Sequence, residues 1–346
     1  MNRTDPIVTV VIPHLEGEKM LRRCLAAVLQ TRGPDFEILI VDDGSTDSSC
    51  EMIDKDYPDV RLVRNKTTLG FAAACNAGIR ASQGRYVALL NDDAVVTPDW
   101  LAPLVRALES DGSVAAAQPK ILSLQNPDRF DYSGGAGGEI DLFGYPFARG
   151  RLFETIEEDA GQYDIQRPCF WASGAAVLFK RSALDRVGLF EERFFAHMEE
   201  IDLCWRMHWA GYQVLAVPDA VVRHQTAGTL ATSSLQKMTL NHRNSLLMIL
   251  RNHTLSALLF IFPLRLVFEA ATLAWALVKG QPERALAVIA GLAGVVRNWT
   301  CVTTGRKTVR AISQVSESML LHYMYRGSAA VAYYARGVRR SGILTH

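Results

Sequence analysis

An α/β fold is what this sequence predicts: a mostly parallel central sheet with flanking helices, followed by a C-terminal helical region of membrane-associating character. Three observations predict it. Continuous β-branched or aliphatic runs recur in the first half, IVTVVIP at 7–13, FEILIV at 36–41 and YVALL at 86–90, as expected of strands buried on both faces. Helical spacing fills the intervals between them, the alternation of a doubly wound sheet. From residue 241 the strand signal stops and strongly apolar, helix-forming sequence takes over.

The elements follow in order. Residues 7–12 form the first strand, and 18–30 a helix whose Met20, Leu21, Cys24, Leu25, Val28 and Leu29 make one apolar stripe. Further strands are expected at 36–41, 61–65, 86–90, 114–119 and 212–218, with helices over 47–55, 71–82 and 98–110. The last of these starts with Thr97 as N-cap and Pro98 in the first turn. SGGAGGEIDLFGYPFARG (133–150) is glycine-rich and irregular, which predicts a flexible flap. QTAGTLATSSLQKM (225–238) reads as a loop that orders with ligand. These signals divide the chain into a catalytic domain over 1–240 and a helical region over 241–346.

Composition narrows the classes. Lys plus Arg number 37 against 36 for Asp plus Glu, so no bulk field favours nucleic acid. From residue 303 onward, seven basic side chains face one acid, Glu317, a balance suited to an anionic lipid surface or to a solvated helix. The six cysteines are scattered without a Cys-x-x-Cys pair, so neither a zinc knuckle nor a disulfide framework is indicated. The N-terminal apolar run is too short for a signal peptide, and the catalytic part is expected in the cytoplasm. Residues 255–278 are long enough to span a bilayer, but Pro263, Arg265 and Glu269 interrupt them. A kinked hairpin lying in the interface, peripheral or monotopic at the cytoplasmic face of the inner membrane, fits this pattern. A buried core hairpin fits it as well.

Three acid clusters carry the chemistry. VDDGSTD (41–47) and LLNDDA (89–94) each follow a strand, which places Asp42, Asp43, Asp92 and Asp93 at the carboxyl edge of the sheet, where open α/β folds bind ligands. Adjacent acids there repel one another, and a hard cation on diphosphate oxygens, Mg2+ or Mn2+, relieves that repulsion. His224, just after the last strand, can complete the shell and favours Mn2+ slightly. In FFAHMEEIDLCWRMHWAGY (194–212), Asp202 can brace Arg206 one turn on, leaving Glu199 or Glu200 to remove a proton from an acceptor hydroxyl. Phe170 and Trp171 offer apolar faces for an acceptor sugar, although core packing would occupy at least one of them.

In this order, VVIPHLEG, CLAAVLQT, VDDGSTD, LGFAAACNAGI, LLNDDAVVTPDWL, WASGAAVLFKR and VGLFEERFFAHMEEIDLCWR resemble the inverting glycosyltransferases of family 2, in particular the bacterial branch that contains rhamnosyltransferases. The resemblance covers residues 8–224 and implies a GT-A, Rossmann-like fold. It implies that Pro13, Asp43 and Asp42 lie against the nucleotide, Asp92 at the ribose, and Asp93 with His224 on the metal. Glu200 then stands as catalytic base, with Glu199 and Trp171 on the acceptor side. The implied donor is a nucleotide diphosphate-sugar, dTDP-L-rhamnose first and a UDP-hexose next, and the implied acceptor a lipid-linked or cell-surface saccharide. This chain departs from the pattern at Asn91, where a stricter motif begins with Asp, and at His14-Leu15-Glu16, in place of Thr-Tyr-Asn. Glu200 replaces Asp and reaches roughly 1.5 Å farther, one C–C bond. Two other functions share some of these features. A nucleotidyltransferase would want a glycine-rich, basic loop after the first strand, and a non-catalytic nucleotide-sugar-binding subunit would gain little from Glu200.

Overall fold

The structure, a computed structural model, describes residues 6–225 and 234–345. Among them, thirteen strands form two sheets. They are β1 (Val8–His14), β2 (Phe36–Asp42), β3 (Arg61–Arg64), β4 (Tyr86–Leu90), β5 (Ala94–Val96) and β6 (Val114–Ser123). After these come β7 (Gly138–Ile140), β8 (Pro146–Ala148), β9 (Arg151–Leu152), β10 (Thr155–Ile156), β11 (Arg167–Cys169), β12 (Ala176–Lys180) and β13 (Gln213–His224). The large sheet runs β11-β13-β6-β12-β4-β1-β2-β3, with β5 added beside β13. Strands β3, β2, β1 and β4 are parallel, as are β6 and β13, whereas β12 runs antiparallel between β4 and β6. The result is a GT-A-like α/β fold with a mostly parallel central sheet.

Helices cover both faces because both faces of the strands are apolar. On one side lie α1 (Glu18–Val28), α2 (Ser49–Asp56) and α4 (Leu101–Ser110), with Leu21, Cys24, Leu25 and Val28 of α1 wholly buried. On the other lie α3 (Phe71–Ala81), α5 (Arg181–Val187), α6 (Glu199–Trp209) and α7 (Leu235–Asn252). The small residues of α3 have a packing cause: a Cβ added at Gly78 would stand 2.2 Å from Val11 Cγ1, so the helix lies directly on β1. The helix predicted from residue 98 starts instead at Leu101. Thr97 does not cap it; its hydroxyl donates to the carbonyl of Val221 (3.1 Å) and fastens the end of β5 to β13.

The glycine-rich stretch is not a flap. Within 133–150 it supplies β7 and β8, which continue through β9 and β10 as a four-stranded antiparallel meander. Its glycines mark close approach rather than looseness. A Cβ at Gly138 would lie 2.1 Å from the Trp171 ring, and one at Gly150, where φ is 94°, would lie 2.3 Å from the Phe130 ring. The loop expected to order with ligand falls mainly on 226–233, outside the described residues.

The expected boundary after residue 240 lies inside α7, a helix whose Leu246, Leu247, Met248 and Ile249 belong to the main core. Beyond it come α8 (Leu255–Val278), α9 (Pro282–Arg297), α10 (Trp299–Ile312), α11 (Glu317–Leu320) and α12 (Ala329–Tyr334). Among the described residues α8 is the single helix long and apolar enough to cross a membrane, and α9 with α10, which meet at a 62° bend, would be so only if taken together. Its two charges face the protein: Arg265 and Glu269, each 2% exposed, pair at 2.7 Å. Glu269 also meets His242 Nδ1 at 2.7 Å, and the Arg265 guanidinium sits 4.0 Å from the centre of the Tyr145 ring. The outward face is bare hydrocarbon, including Leu259 and Phe260, about three-quarters exposed, and Val267 and Val278.

Candidate active site

The carboxyl ends of β1, β2, β4 and β13 bring the candidate residues to one edge of the sheet. Asp42 closes β2 beside His14 of β1 in register, and both are buried. Pro13, one position earlier, is buried and pairs with Val41. His14 Nδ1 lies 2.6 Å from Asp92 Oδ2, which links the end of β1 to the acids after β4. Burial pushes the Asp92 carboxyl upward, and the contact with His14 opposes that shift. The turns after β1 and β2 are joined as well. Glu16 accepts from the Thr46 amide and hydroxyl, while Asp47 accepts from the amides of Gly17 and Glu18 at the start of α1.

Asp43 has a structural task in this arrangement. Its carboxylate accepts from Asn65 Nδ2 (2.8 Å), the Leu69 amide (3.0 Å) and the Gly70 amide (2.8 Å), so it ties the segment before α3 to the sheet edge. Gly70 in turn lies under the ring of Phe195, and the Ala72 amide donates to the Phe195 carbonyl. The carboxyl edge of the sheet is thereby coupled to the chain that enters α6.

That entry is strained. Phe195, His197 and Met198 hold φ values of 66°, 72° and 72°, a region that side-chain-bearing residues adopt at a cost of about 1–3 kcal/mol each. Helix α7 holds them there. Asn244 Nδ2 donates to the carbonyls of Phe194, Ala196 and His197 at 2.8–2.9 Å, and Arg243 donates to those of Arg193 and Phe194. Further along α6, Asp202 is wholly buried and bonded to Arg206 Nε (3.0 Å), Arg251 Nε (2.9 Å) and Asn252 Nδ2 (2.8 Å). Burial would raise its pKa, but the two guanidiniums prevail and hold the carboxyl below its ordinary value.

Glu199 and Glu200 are left facing inward. Among the described residues, neither carboxyl's Oε2 has a hydrogen-bond partner, and neither residue forms a salt bridge. Burial pushes the Glu200 carboxyl up to about 7, and burial together with the charge of Glu200 drives Glu199 well above its ordinary value. The charges of Glu199, Glu200 and Asp43 all act on the buried thiol of Cys75, so the three surround one region. A desolvated carboxyl poised near neutrality, with one oxygen lacking a partner among the described residues, is suited to accept a proton from a hydroxyl.

His224 stands at the other end of the cluster. Pairing of β5 with β13 sets His224 against Ala94, which brings its Nε2 to 3.0 Å from Asp93 Oδ1. Its Nδ1 is 3.0 Å from Asp131 Oδ1. Burial lowers the imidazole pKa, but the carboxylates of Asp131 and Asp93 outweigh it and push the ring up to about 10. Among the described residues no group of three or more His, Cys, Asp or Glu side chains is gathered for a metal ion. The pair nevertheless fits one. Asp93 Oδ1 is buried without a hydrogen-bond partner, and two neighbouring donors of an octahedral ion at about 2.1 Å are about 3 Å apart. With Nδ1–H held by Asp131, Nε2 would become a ligand once a bound ion displaced the proton it shares with Asp93.

Two placements differ from expectation. Trp171 is 3% exposed, its indole N–H donates to the Glu139 carbonyl (2.8 Å), and its ring belongs to the core rather than to an open sugar face. Phe170 is buried too, edge-on to Trp205. Asp131 and the His14–Asp92 contact escaped the sequence reading. Asp131 stands in a loop with no motif around it, and only the three-residue β5 betrays the geometry that makes it matter. A separate cavity of about 210 Å3, lined by Glu139, Arg167 and Tyr323 among others, contains none of the acids described above.

The chain is similar to known proteins in sequence and in fold. The N-acetylglucosaminyl-diphospho-decaprenol L-rhamnosyltransferase of Mycobacterium tuberculosis is 27% identical over 270 residues, spanning 72% of this chain and 86% of the relative. Two solved structures share the fold. A crystal structure of GalNAc-T7 with UDP, GalNAc and Mn2+ has a TM-score of 0.57 and 19% identity, covering 72% of this chain and 48% of that one. The mannosyltransferase PcManGT from Pyrobaculum calidifontis in complex with GDP-Man and Mn2+ has a TM-score of 0.51 and 20% identity, covering 89% and 87%. Residues 9–188, from the first strand past α5, match the family described as Glycosyl transferase family 2, and with the sheet-edge acids inside that span, the chain belongs to it.

Proposed function

We propose that this protein transfers a sugar, first choice L-rhamnose, from a nucleotide diphosphate-sugar to a hydroxyl of a lipid-diphosphate-linked saccharide, with inversion at the anomeric carbon. The observation that carries the reading is the buried carboxyl of Glu200, unpartnered at Oε2 and held near neutrality at the end of a strained, clamped entry to α6. Glycosyl transfer is the activity of the family. The rhamnosyl and lipid-linked choices rest on the name of the mycobacterial relative.

The residues divide the work as follows. Pro13, Asp42 and Asp43 shape the nucleotide edge, with Asp43 acting through the segment at 65–70 that it fastens. Asp92, oriented by His14, lies beside them at the ribose. Asp93 and His224 would hold Mn2+ or Mg2+, the ion present with both structural neighbours being Mn2+. Such an ion, when bound, neutralises charge developing on the leaving diphosphate. Glu200 accepts the proton of the acceptor hydroxyl at a carboxylate oxygen as that hydroxyl attacks. Glu199, desolvated beside it, keeps its proton and is placed to donate a hydrogen bond to the acceptor.

The bare face of α8 suggests how a lipid-linked acceptor is met: the hydrocarbon side would rest in the interface at the cytoplasmic leaflet.

The test is incubation with Mn2+ and dTDP-rhamnose, UDP-hexoses and GDP-sugars, following release of free nucleotide diphosphate with and without a lipid-diphosphate saccharide. Glu200→Gln should bind donor as the wild type does and lose transfer by at least about a hundredfold. Undiminished transfer by that variant sinks the base assignment.

A further inference from the structure

At the mouth of the strained entry to α6, one side chain has no use in the fold. His197 holds a left-handed backbone position, φ 72°, which glycine or asparagine would fill at lower cost. What α7 grips there is its carbonyl, through Asn244 Nδ2 at 2.8 Å. The imidazole itself is largely buried, and its Nε2 finds no partner among the described residues. A buried ring nitrogen without a partner costs free energy unless something else arrives to bond it.

A cation stands nearby. Lys237 lies in the first turn of α7 and is half-buried, with no acidic partner among the described residues. It is seven residues before Asn244, two turns along the same inward face that also presents buried Leu240, about 10 Å along the axis. That face looks onto 194–198, and the lysine charge acts directly on the His197 ring. Burial and this neighbour push the imidazole down to about 4, and burial alone lowers Lys237. Two desolvated donors therefore lie on the same side of the chain that leads into Glu199 and Glu200, with no acidic partner for either among the described residues.

We propose that His197 and Lys237 form a phosphate subsite in the transfer cleft, in which the imidazole donates one hydrogen bond and the ammonium supplies charge to a diphosphate oxygen. The inference rests on the transferase reading and extends it. A diphosphate occurs in two reactants, the nucleotide donor and the lipid-linked acceptor, and the chemistry at the subsite is the same for both. Donation from a neutral ring beside an ammonium suits a phosphate better than a neutral hydroxyl, since only the anion offsets the desolvation of both groups.

The experiment uses the full chain and measures binding of two probes by calorimetry, dTDP with Mn2+ and farnesyl diphosphate. His197→Leu and Lys237→Met should each weaken one of them by about tenfold or more. His197→Gln, which keeps a donor at similar reach, should restore most of the loss. A loss confined to farnesyl diphosphate assigns the subsite to the acceptor, and one confined to dTDP assigns it to the donor. If the wild type binds and both His197→Leu and Lys237→Met, shown folded by circular dichroism, bind both probes within twofold of it, the subsite is refuted while the transferase reading stands. If the wild type binds neither probe, both fall.

Discussion

At the scale of single residues, position and environment divide the acids into different jobs. Asp43 and Asp202 accept hydrogen bonds on all sides and hold backbone in place, whereas Glu199 and Glu200 retain an oxygen with no partner among the described residues. The strand-end acids could be read from sequence because a turn of consecutive carboxylates after an apolar strand is a local pattern. Asp131 could not, because its importance comes from His224, ninety-three residues away, through a three-residue strand. Two predictions belong here. If Glu200 is the base proposed, it acts only when ionised, and with burial setting its carboxyl at about 7, transfer should rise as pH is raised through about 7 and fall below it. A pH profile of kcat/KM that stays flat from 5.5 to 8 contradicts this. Asp131→Asn removes the group that orients the His224 ring and should weaken Mn2+ binding by roughly 10–100-fold, read from the resonance signal of free Mn2+.

At the scale of elements, the sequence pattern served where periodicity was strong and failed where packing set the conformation. The parallel strands and the helices α1 to α4 announce themselves through local sequence pattern. The meander β7–β10 does not, since its glycines resemble those of a loose loop until the rings of Trp171 and Phe130 are set against them. Likewise Thr97 looks like a helix cap, yet its hydroxyl serves the β5–β13 pairing that brings Asp93 to His224. The bond between α6 and α7 is of the same tertiary kind. Removing Asp202 strands two buried guanidiniums, and Asp202→Ala should destabilise the protein by about 3–5 kcal/mol in urea unfolding. A loss below 1 kcal/mol would show that Arg206 and Arg251 are adequately held by Glu191 and the carbonyls around Val187.

At the scale of the whole molecule, α7 contradicts a simple division into a sheet domain followed by a membrane region. It closes the core under α6 and only then hands the chain to α8. The change from strand alternation to helix-only sequence placed the division inside α7, whereas Asn244, Arg251 and Asn252 tie that helix to α6 and its entry segment. The apolar face of α8 was legible from composition, and so was the pairing of Arg265 with Glu269. Glutamates at Leu259 and Phe260 together should cut sedimentation with anionic liposomes by at least about tenfold. They should leave hydrolysis of donor in solution unchanged, and liposome binding equal to wild type counts against the interfacial role of α8.

The triad of Arg265, Glu269 and His242 beneath α8 has a consequence for how the enzyme sits. To roll over or sink deeper into lipid, the helix would have to bare an arginine and a glutamate to hydrocarbon, a displacement that grows steeply unfavourable. With the bare face of α8 in a lipid interface, as proposed, the ion cluster would work as a keel that fixes which side of the helix points down.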